Sequence, residues 1–325
     1  SHALHMFLLN APDFLGFKNA WEMAEDYPEE VQAGLELKKQ GNRLLEVLGG
    51  RAVHPINVAV GGFYRIPSRD QFAELIPGFE SALQTAVKLT RFVARLDFPP
   101  LQRNYEMIAL SHPDEYPMNE GRIASTEGWT IDVEQFADEF EERQVPHSTA
   151  LHAIRKTTGS CYFVGPLARV NLNRDKLMPT ARRLADEIAI DWPCLNPFQS
   201  IVARGLELVH AFEEALTILR DYKPVRSPRE TYQYREASGC AATEAPRGIL
   251  YHHYGIDAKG AIKSAVIIPP TSQNQAQIED DLKDYVSQLD GDDDAIALDC
   301  ERLVRSYDPC ISCSTHFLNV KIERT

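Results

Sequence analysis

The stretch DPCISCSTH, Asp308 to His316, places Cys310, Cys313 and His316 at even three-residue spacing, with FLNVKIERT (Phe317 to Thr325) running beyond them. Two intervening residues let a tight turn direct both sulfurs at one point, so Cys310 and Cys313 can ligate one metal ion. Thiolates are soft ligands that favour zinc, copper(I), iron–sulfur clusters, or nickel in a thiolate set, and spacing alone does not name the metal. A structural zinc site takes four ligands, and a redox Cys-x-x-Cys pair precedes a helix in a thioredoxin-like unit; neither context surrounds this pair. Metal binding is the leading reading, with a redox or structural pair as the alternative.

The chain around the pair has 325 residues, 44% hydrophobic and 25% charged, an ordinary globular composition with length for one large domain or two. A net charge of −13 argues against a nucleic-acid partner, which would call for a basic face. No apolar run approaches the roughly 20 residues of a membrane-spanning helix. The opening SHALHMFLLNAPDFLGF lacks the basic region and cleavage site of a signal peptide and reads as a helix entered part-way. Cys161, Cys194, Cys240 and Cys300 stand singly, a pattern unlike a secreted disulfide framework. A reducing, cytoplasmic setting is expected, with each of the four a small buried hydrophobe.

Further along, Val31, Leu35, Leu44, Leu45 and Leu48 recur at helical spacing up to Gly49-Gly50. HPINVAVGGFYRIPS (His54 to Ser68) breaks the pattern and reads as a loop with brief extended structure. Ser68 with Gln71 forms a capping box for a helix continuing through Leu75, Leu83, Val87 and Leu96 to Pro99-Pro100. Residues 101–200 are more irregular. Val202, Leu206, Val209, Phe212, Leu216 and Leu219 form the stripe of a long amphipathic helix, with His210 beside it as a satisfied core or boundary histidine. GILYHHYGIDAKGAIKSAVII predicts a hairpin turning at Asp257 to Gly260. The acidic run Glu279 to Asp294 reads as a solvated helix and loop.

Asp-Pro-Cys-x-x-Cys-x-x-His near a C-terminus resembles the last motif of nickel–iron hydrogenase large subunits. Four other stretches agree with that family in order: SHALH (Ser1 to His5), GPLARVN (Gly165 to Asn171), EAPRG (Glu244 to Gly248) and IPPTSQN (Ile268 to Asn274). The resemblance covers essentially all 325 residues, and HPINVAVGGFYRIPS and SHALHMFLL look most like the soluble NAD(P)-coupled and sulfhydrogenase branch. It implies a single mainly helical α+β domain over 1–325, its long helices bundled beneath a metal site, with a small β-hairpin near Arg247.

The resemblance also implies a nickel–iron centre whose iron carries carbon monoxide and cyanide. Cys310 would be a terminal nickel ligand and Cys313 a nickel–iron bridge. Dihydrogen would be split heterolytically, its proton passing to Cys310 or a nearby base. Arg247 matches an arginine over the open face of the metals, and Asp308 would orient it. Pro246 and Thr271 match positions touching the diatomic ligands. His316 and the Ile267 carbonyl match a magnesium site, and His2 and His5 are weaker candidates. Implied partners are an iron–sulfur small subunit, NAD(P)-reductase subunits, nickel-insertion proteins and a maturation endopeptidase that would remove residues 317–325.

The sequence departs from the family's pattern upstream. No cysteine occurs before Cys161, so the first Cys-Gly-x-Cys pair is missing, and Ser1 stands where some relatives carry an aspartate. The expectation is N-terminal truncation and no stable nickel–iron centre in this polypeptide alone. Two other readings compete: a non-catalytic scaffold like the quinone-site subunit of respiratory complex I, and a zinc-binding structural module built on Cys310, Cys313 and His316.

Overall fold

The computed structural model describes residues 1–310. It is mainly helical with small sheets, an α+β fold, and its contacts divide into two compact units. Unit 1 comprises Ser1–Leu96, Met178–Ala189 and Gly205–Arg235; unit 2 comprises Asp97–Leu177, Ile190–Arg204 and Glu236 onward.

Unit 1 is built from helices. The chain opens with a helical turn, His2–Leu4, widens into a π-helical turn over His5–Asn10, and resumes as Ala11–Leu15. Pro12 offers no N–H to the preceding turn, which accounts for the local widening. The expected helix runs Pro28–Gly49 with Gly50 as its cap, and it buries Val31, Gly34, Leu37 and Gln40 while Leu35 and Leu45 face solvent. Gly34 sets the buried face: a Cβ there would lie 2.8 Å from Phe7, so only glycine permits this approach. The Ser68–Gln71 capping box forms as expected, but its helix ends at Ala73 and a second begins at Ile76. Pro77 at the start of Ile76–Val93 accounts for the interruption, because proline belongs in a first turn and not mid-helix. From Gly205 onward the helix Ser200–Asp221 joins this unit, and Gly205 lies where a Cβ would stand 2.7 Å from Thr90 Oγ1. Its predicted stripe is buried, with Phe212 edge-on to Phe79. His210 is buried as expected and accepts from the Met178 amide at 3.1 Å.

Unit 2 holds the larger sheets, and unit 1 carries one short antiparallel pair, Val58–Ala59 with Gly62–Phe63, in the stretch expected to have brief extended structure. Met107–Ser111 pairs antiparallel with Arg122–Ser125 and parallel with Phe163–Val164, and Phe140–Arg143 forms a hairpin with His152–Arg155. A three-stranded sheet runs in the order Ile262–Ile268, Gly248–Ile256, Ala237–Ala245. The expected hairpin at Asp257 to Gly260 is present, but a third strand precedes it. ASGCAATEA carries few β-branched residues, so its extended form is fixed by nine paired positions along Gly248–Ile256 and not by propensity. Ile108, Phe136, Ala153, Tyr162, Tyr251 and Ile268 belong to one buried cluster beneath these strands.

Two helices, Pro270–Val286 and Asp293–Ser306, follow the sheet. Within the supposedly solvated acidic run, Asp281 is fully buried. It accepts from Arg103 Nη1 at 2.6 Å, Tyr105 at 3.0 Å, Gln277 at 3.0 Å and Tyr307. Burial pushes its carboxyl upward against the opposing pull of these donors. Cys194 and Cys300 are buried as expected, while Cys161 and Cys240 are half-buried. Among the described residues no helix is long and apolar enough to cross a membrane.

Candidate active site

EAPRG folds as a hairpin tip. Ala245 pairs with Gly248, so Pro246 and Arg247 form a two-residue turn between Ala237–Ala245 and Gly248–Ile256. Gly248 has φ +134°, and a Cβ on it would lie 2.6 Å from Val164 Cγ2. Gly165 of GPLARVN has φ +122°, and a Cβ there would lie 2.8 Å from the Arg247 carbonyl oxygen. Two motifs eighty residues apart thus touch through two glycines, in conformations that other residues rarely adopt.

Polar groups lock this contact. Arg169, inside GPLARVN, is 1% exposed; its Nη1 donates to Glu244 Oε2 at 2.9 Å and to the Ala245 carbonyl at 2.8 Å. Its Nη2 donates to the Pro246 carbonyl at 3.2 Å. Glu244 Oε1 accepts the Leu110 amide at 2.8 Å. A buried guanidinium with a charged partner and two carbonyls is well satisfied, and its fork geometry fixes the turn. Asn274 of IPPTSQN accepts from the Val164 amide at 2.8 Å and donates to its carbonyl at 2.9 Å, acting as a neighbouring strand would. Arg169, Glu244 and Asn274 were quoted within motifs but given no role by sequence reasoning. Their partners lie 75 to 134 positions away, and the legible signal is their place inside the motifs.

The expected pair of Arg247 and Asp308 is present. Arg247 Nη2 lies 3.1 Å from Asp308 Oδ1, and its Nε donates to the Asp308 carbonyl. The Asp308 side chain is fully buried, whereas that of Arg247 is 29% exposed. Asp308 follows the helix Asp293–Ser306 with φ +53°, a left-handed conformation that aspartate tolerates better than most residues. Two residues on, the Cys310 amide donates to Thr271 Oγ1 at 3.3 Å, and the same hydroxyl is hydrogen-bonded to Cys310 Sγ at 3.1 Å. Cys310 is exposed.

The structure therefore gathers Pro246, Arg247, Thr271, Asp308 and Cys310 within unit 2. Ile267 lies in the outer strand Ile262–Ile268, paired with His252, its side chain 49% exposed. In unit 1, His2 Nε2 lies 2.6 Å from Glu207 Oε2, and His5 is buried. Cys313, His316 and the expected extension 317–325 lie outside the described residues.

The donor chemistry fits a thiophilic metal at this point. An exposed thiol, reached by one hydroxyl, stands two residues from a buried carboxylate that holds a guanidinium.

Comparison with known proteins bears on the same residues. Residues 156–316 match the family described as nickel-dependent hydrogenase. Sulfhydrogenase 1 subunit alpha of Pyrococcus furiosus is 31% identical, over 98% of this chain and 75% of that protein. Sulfhydrogenase 2 subunit alpha of the same organism is 30% identical, over 98% of this chain and 76% of that protein. Among solved structures, an NAD+-reducing NiFe-hydrogenase in the H2-reduced state superimposes with a TM-score of 0.85 at 24% identity, covering 97% of this chain and 76% of that one. A NiFeSe-hydrogenase of Dm. baculatum superimposes with a TM-score of 0.71 at 18% identity, covering 97% and 79%.

Proposed function

The chain belongs to the nickel-dependent hydrogenase family, whose members are oxidoreductases acting on dihydrogen, and from that premise we propose residue roles for it. Cys310 and Cys313 would hold nickel, with Cys313 shared with an iron bearing carbon monoxide and cyanide. When bound, such a centre supplies a Lewis-acidic pair able to polarise dihydrogen for heterolytic cleavage. The remaining chemistry falls to the chain's own side chains. Cys310 is the accessible base that takes the proton at Sγ, and the Thr271 hydroxyl, hydrogen-bonded to that sulfur, holds it in place. Arg247 carries a guanidinium, which offers donors and no acceptor, and so positions and polarises instead of accepting a proton. Asp308 orients Arg247 by accepting from Nη2, and it is a positioning residue.

Pro246 forms an apolar wall at the hairpin tip and Thr271 offers a hydroxyl, a combination suited to diatomic ligands in a dry pocket. His316 and the Ile267 carbonyl would serve magnesium. Electrons would leave through an iron–sulfur small subunit toward NAD(P), in keeping with the sulfhydrogenase relatives and the NAD+-reducing structural neighbour. Nickel-insertion proteins and an endopeptidase acting beyond His316 would mature the chain, and the cytoplasm is the proposed location.

The observation that carries this reading is the joint contact of Arg247 with Asp308 and of Thr271 with Cys310, within two residues of each other along the chain. Its test is hydrogen-dependent dye reduction by the assembled enzyme together with elemental analysis. Cys310→Ser is expected to abolish turnover and lower nickel content. Arg247→Lys is expected to cut turnover at least 100-fold with nickel retained. Full activity in Cys310→Ser would overturn the assignment.

A further inference from the structure

A second group of ligating side chains lies in unit 2, on the same helix as Thr271. Glu279 follows eight residues later on Pro270–Val286, about 12 Å along the axis. Each of its carboxylate oxygens is met by an imidazole. Oε2 lies 2.9 Å from His147 Nε2, and Oε1 lies 3.1 Å from His152 Nε2. The two rings stand edge to face with centroids 5.8 Å apart. His152 opens the strand His152–Arg155, and His147 sits in the connection from Phe140–Arg143. Gln275, one turn before Glu279, donates to Oε1 at 3.3 Å and so helps orient the carboxylate.

His152 is the residue that an ion pair alone does not explain. Its side chain is 6% exposed, and among the described residues its buried Nε2 makes no hydrogen bond although Oε1 is close. A buried ring nitrogen left in this way is costly unless something accepts its lone pair. His147, by contrast, is 63% exposed, so one side of the group faces solvent.

We propose that His147, His152 and Glu279 form a zinc site that staples the 144–151 connection to the helix Pro270–Val286. Two imidazoles and one carboxylate are a known zinc donor set, with the fourth tetrahedral position left to water on the exposed side. One ligand atom from each of the three residues lies within 4.8 Å of the others, and ligand atoms bonded to zinc at about 2.0–2.1 Å stand roughly 3.3 Å apart, so modest side-chain adjustment around one carboxylate oxygen closes the group on the ion. Both imidazoles ligate in the neutral form, so binding asks no thiol to ionise. The site is separate from Cys310 and uses none of the residues assigned above.

The test titrates the chelator-treated protein with cobalt(II), a spectroscopic substitute for zinc, and then with zinc(II). One equivalent of cobalt should give tetrahedral visible absorption without sulfur-to-metal charge transfer, and one equivalent of zinc should displace it. Hydrogen exchange of the 144–151 amides should slow at least tenfold with zinc. His147→Ala and Glu279→Gln, both at partly exposed positions, should each weaken cobalt binding at least tenfold with unchanged circular dichroism. The proposal is overturned if the only bound cobalt shows sulfur charge transfer, if binding survives both substitutions, or if neither ion binds, which would leave an ion pair.

Discussion

Arg169 and Glu244 are both almost fully buried, yet each is charged, and facing one another offsets much of the cost of burying them. Arg169→Met removes the guanidinium from the Glu244 carboxylate and from two carbonyls of the hairpin tip. It is expected to destabilise the protein by about 3–5 kcal/mol in urea unfolding. Glu244→Gln in the same background should recover part of that loss, and the double-mutant cycle gives the coupling directly. Asp308 combines two demands, a left-handed backbone and an acceptor for Arg247. Asn meets the first and keeps a neutral acceptor, so Asp308→Asn should cost within about 1 kcal/mol. Ala meets neither, and Asp308→Ala should cost about 2–4 kcal/mol by the same measurement. In the assembled enzyme both should lower turnover with nickel retained, because each leaves Arg247 less firmly oriented.

At the scale of elements, the site depends on how closely the start of one helix approaches one hairpin. Gly165 precedes the helix Pro166–Asn173 and Gly248 opens the strand after the Pro246-Arg247 turn, and each occupies space where the other's element leaves no room for a Cβ. Gly165→Ala and Gly248→Ala combine an unfavourable φ with overpacking, and each should cost about 2–5 kcal/mol in thermal or urea unfolding. Gly159→Ala is the control. Its φ is +71° but a Cβ there meets nothing within 4 Å, so only the backbone term of about 1–2 kcal/mol is expected. Equal losses at all three positions would show that φ alone sets the cost and that the close approach is slack. The same approach joins GPLARVN to EAPRG. Their glycines supply the contact, and Arg169 and Glu244 supply the lock.

Across the whole molecule, the sequence made single motifs legible but not the pairing of one motif with another. Cys310, Asp308, Arg247 and Thr271 could be named from local strings, whereas Asn274 acts on Val164 from 110 positions away, and no periodicity reports that. The long helix after Ser200 is legible because its stripe is purely apolar; the helix Pro28–Gly49 and its glycine stop are legible too, but not its buried face, on which a glycine and a glutamine sit. Asp281 escaped notice for a related reason, since neighbouring Asp280 and Asp284 are exposed and hide one buried acid in an acidic run. Burial also sets a pH dependence that composition does not show. Cys194 is held by Asn171, another GPLARVN residue, whose side chain pairs with its amide and carbonyl at 2.8 Å. Burial is the largest cause of its thiol being pushed up to about 11 from a reference value of 9.0, with Asp191 adding to it. Because the folded value is the higher one, the unfolded chain loses its proton first as pH rises. The stabilisation is complete below pH 9 and fades as pH climbs toward 11. Between pH 8 and pH 10.5 the wild type should therefore lose up to about 2 kcal/mol through this residue alone. Urea unfolding of Cys194→Ala over the same interval should show a shallower decline by about that amount. Parallel declines in the two proteins would place the alkaline sensitivity elsewhere, with the tyrosines Tyr251 and Tyr285, both pushed up to about 12 by burial, as the next groups to replace.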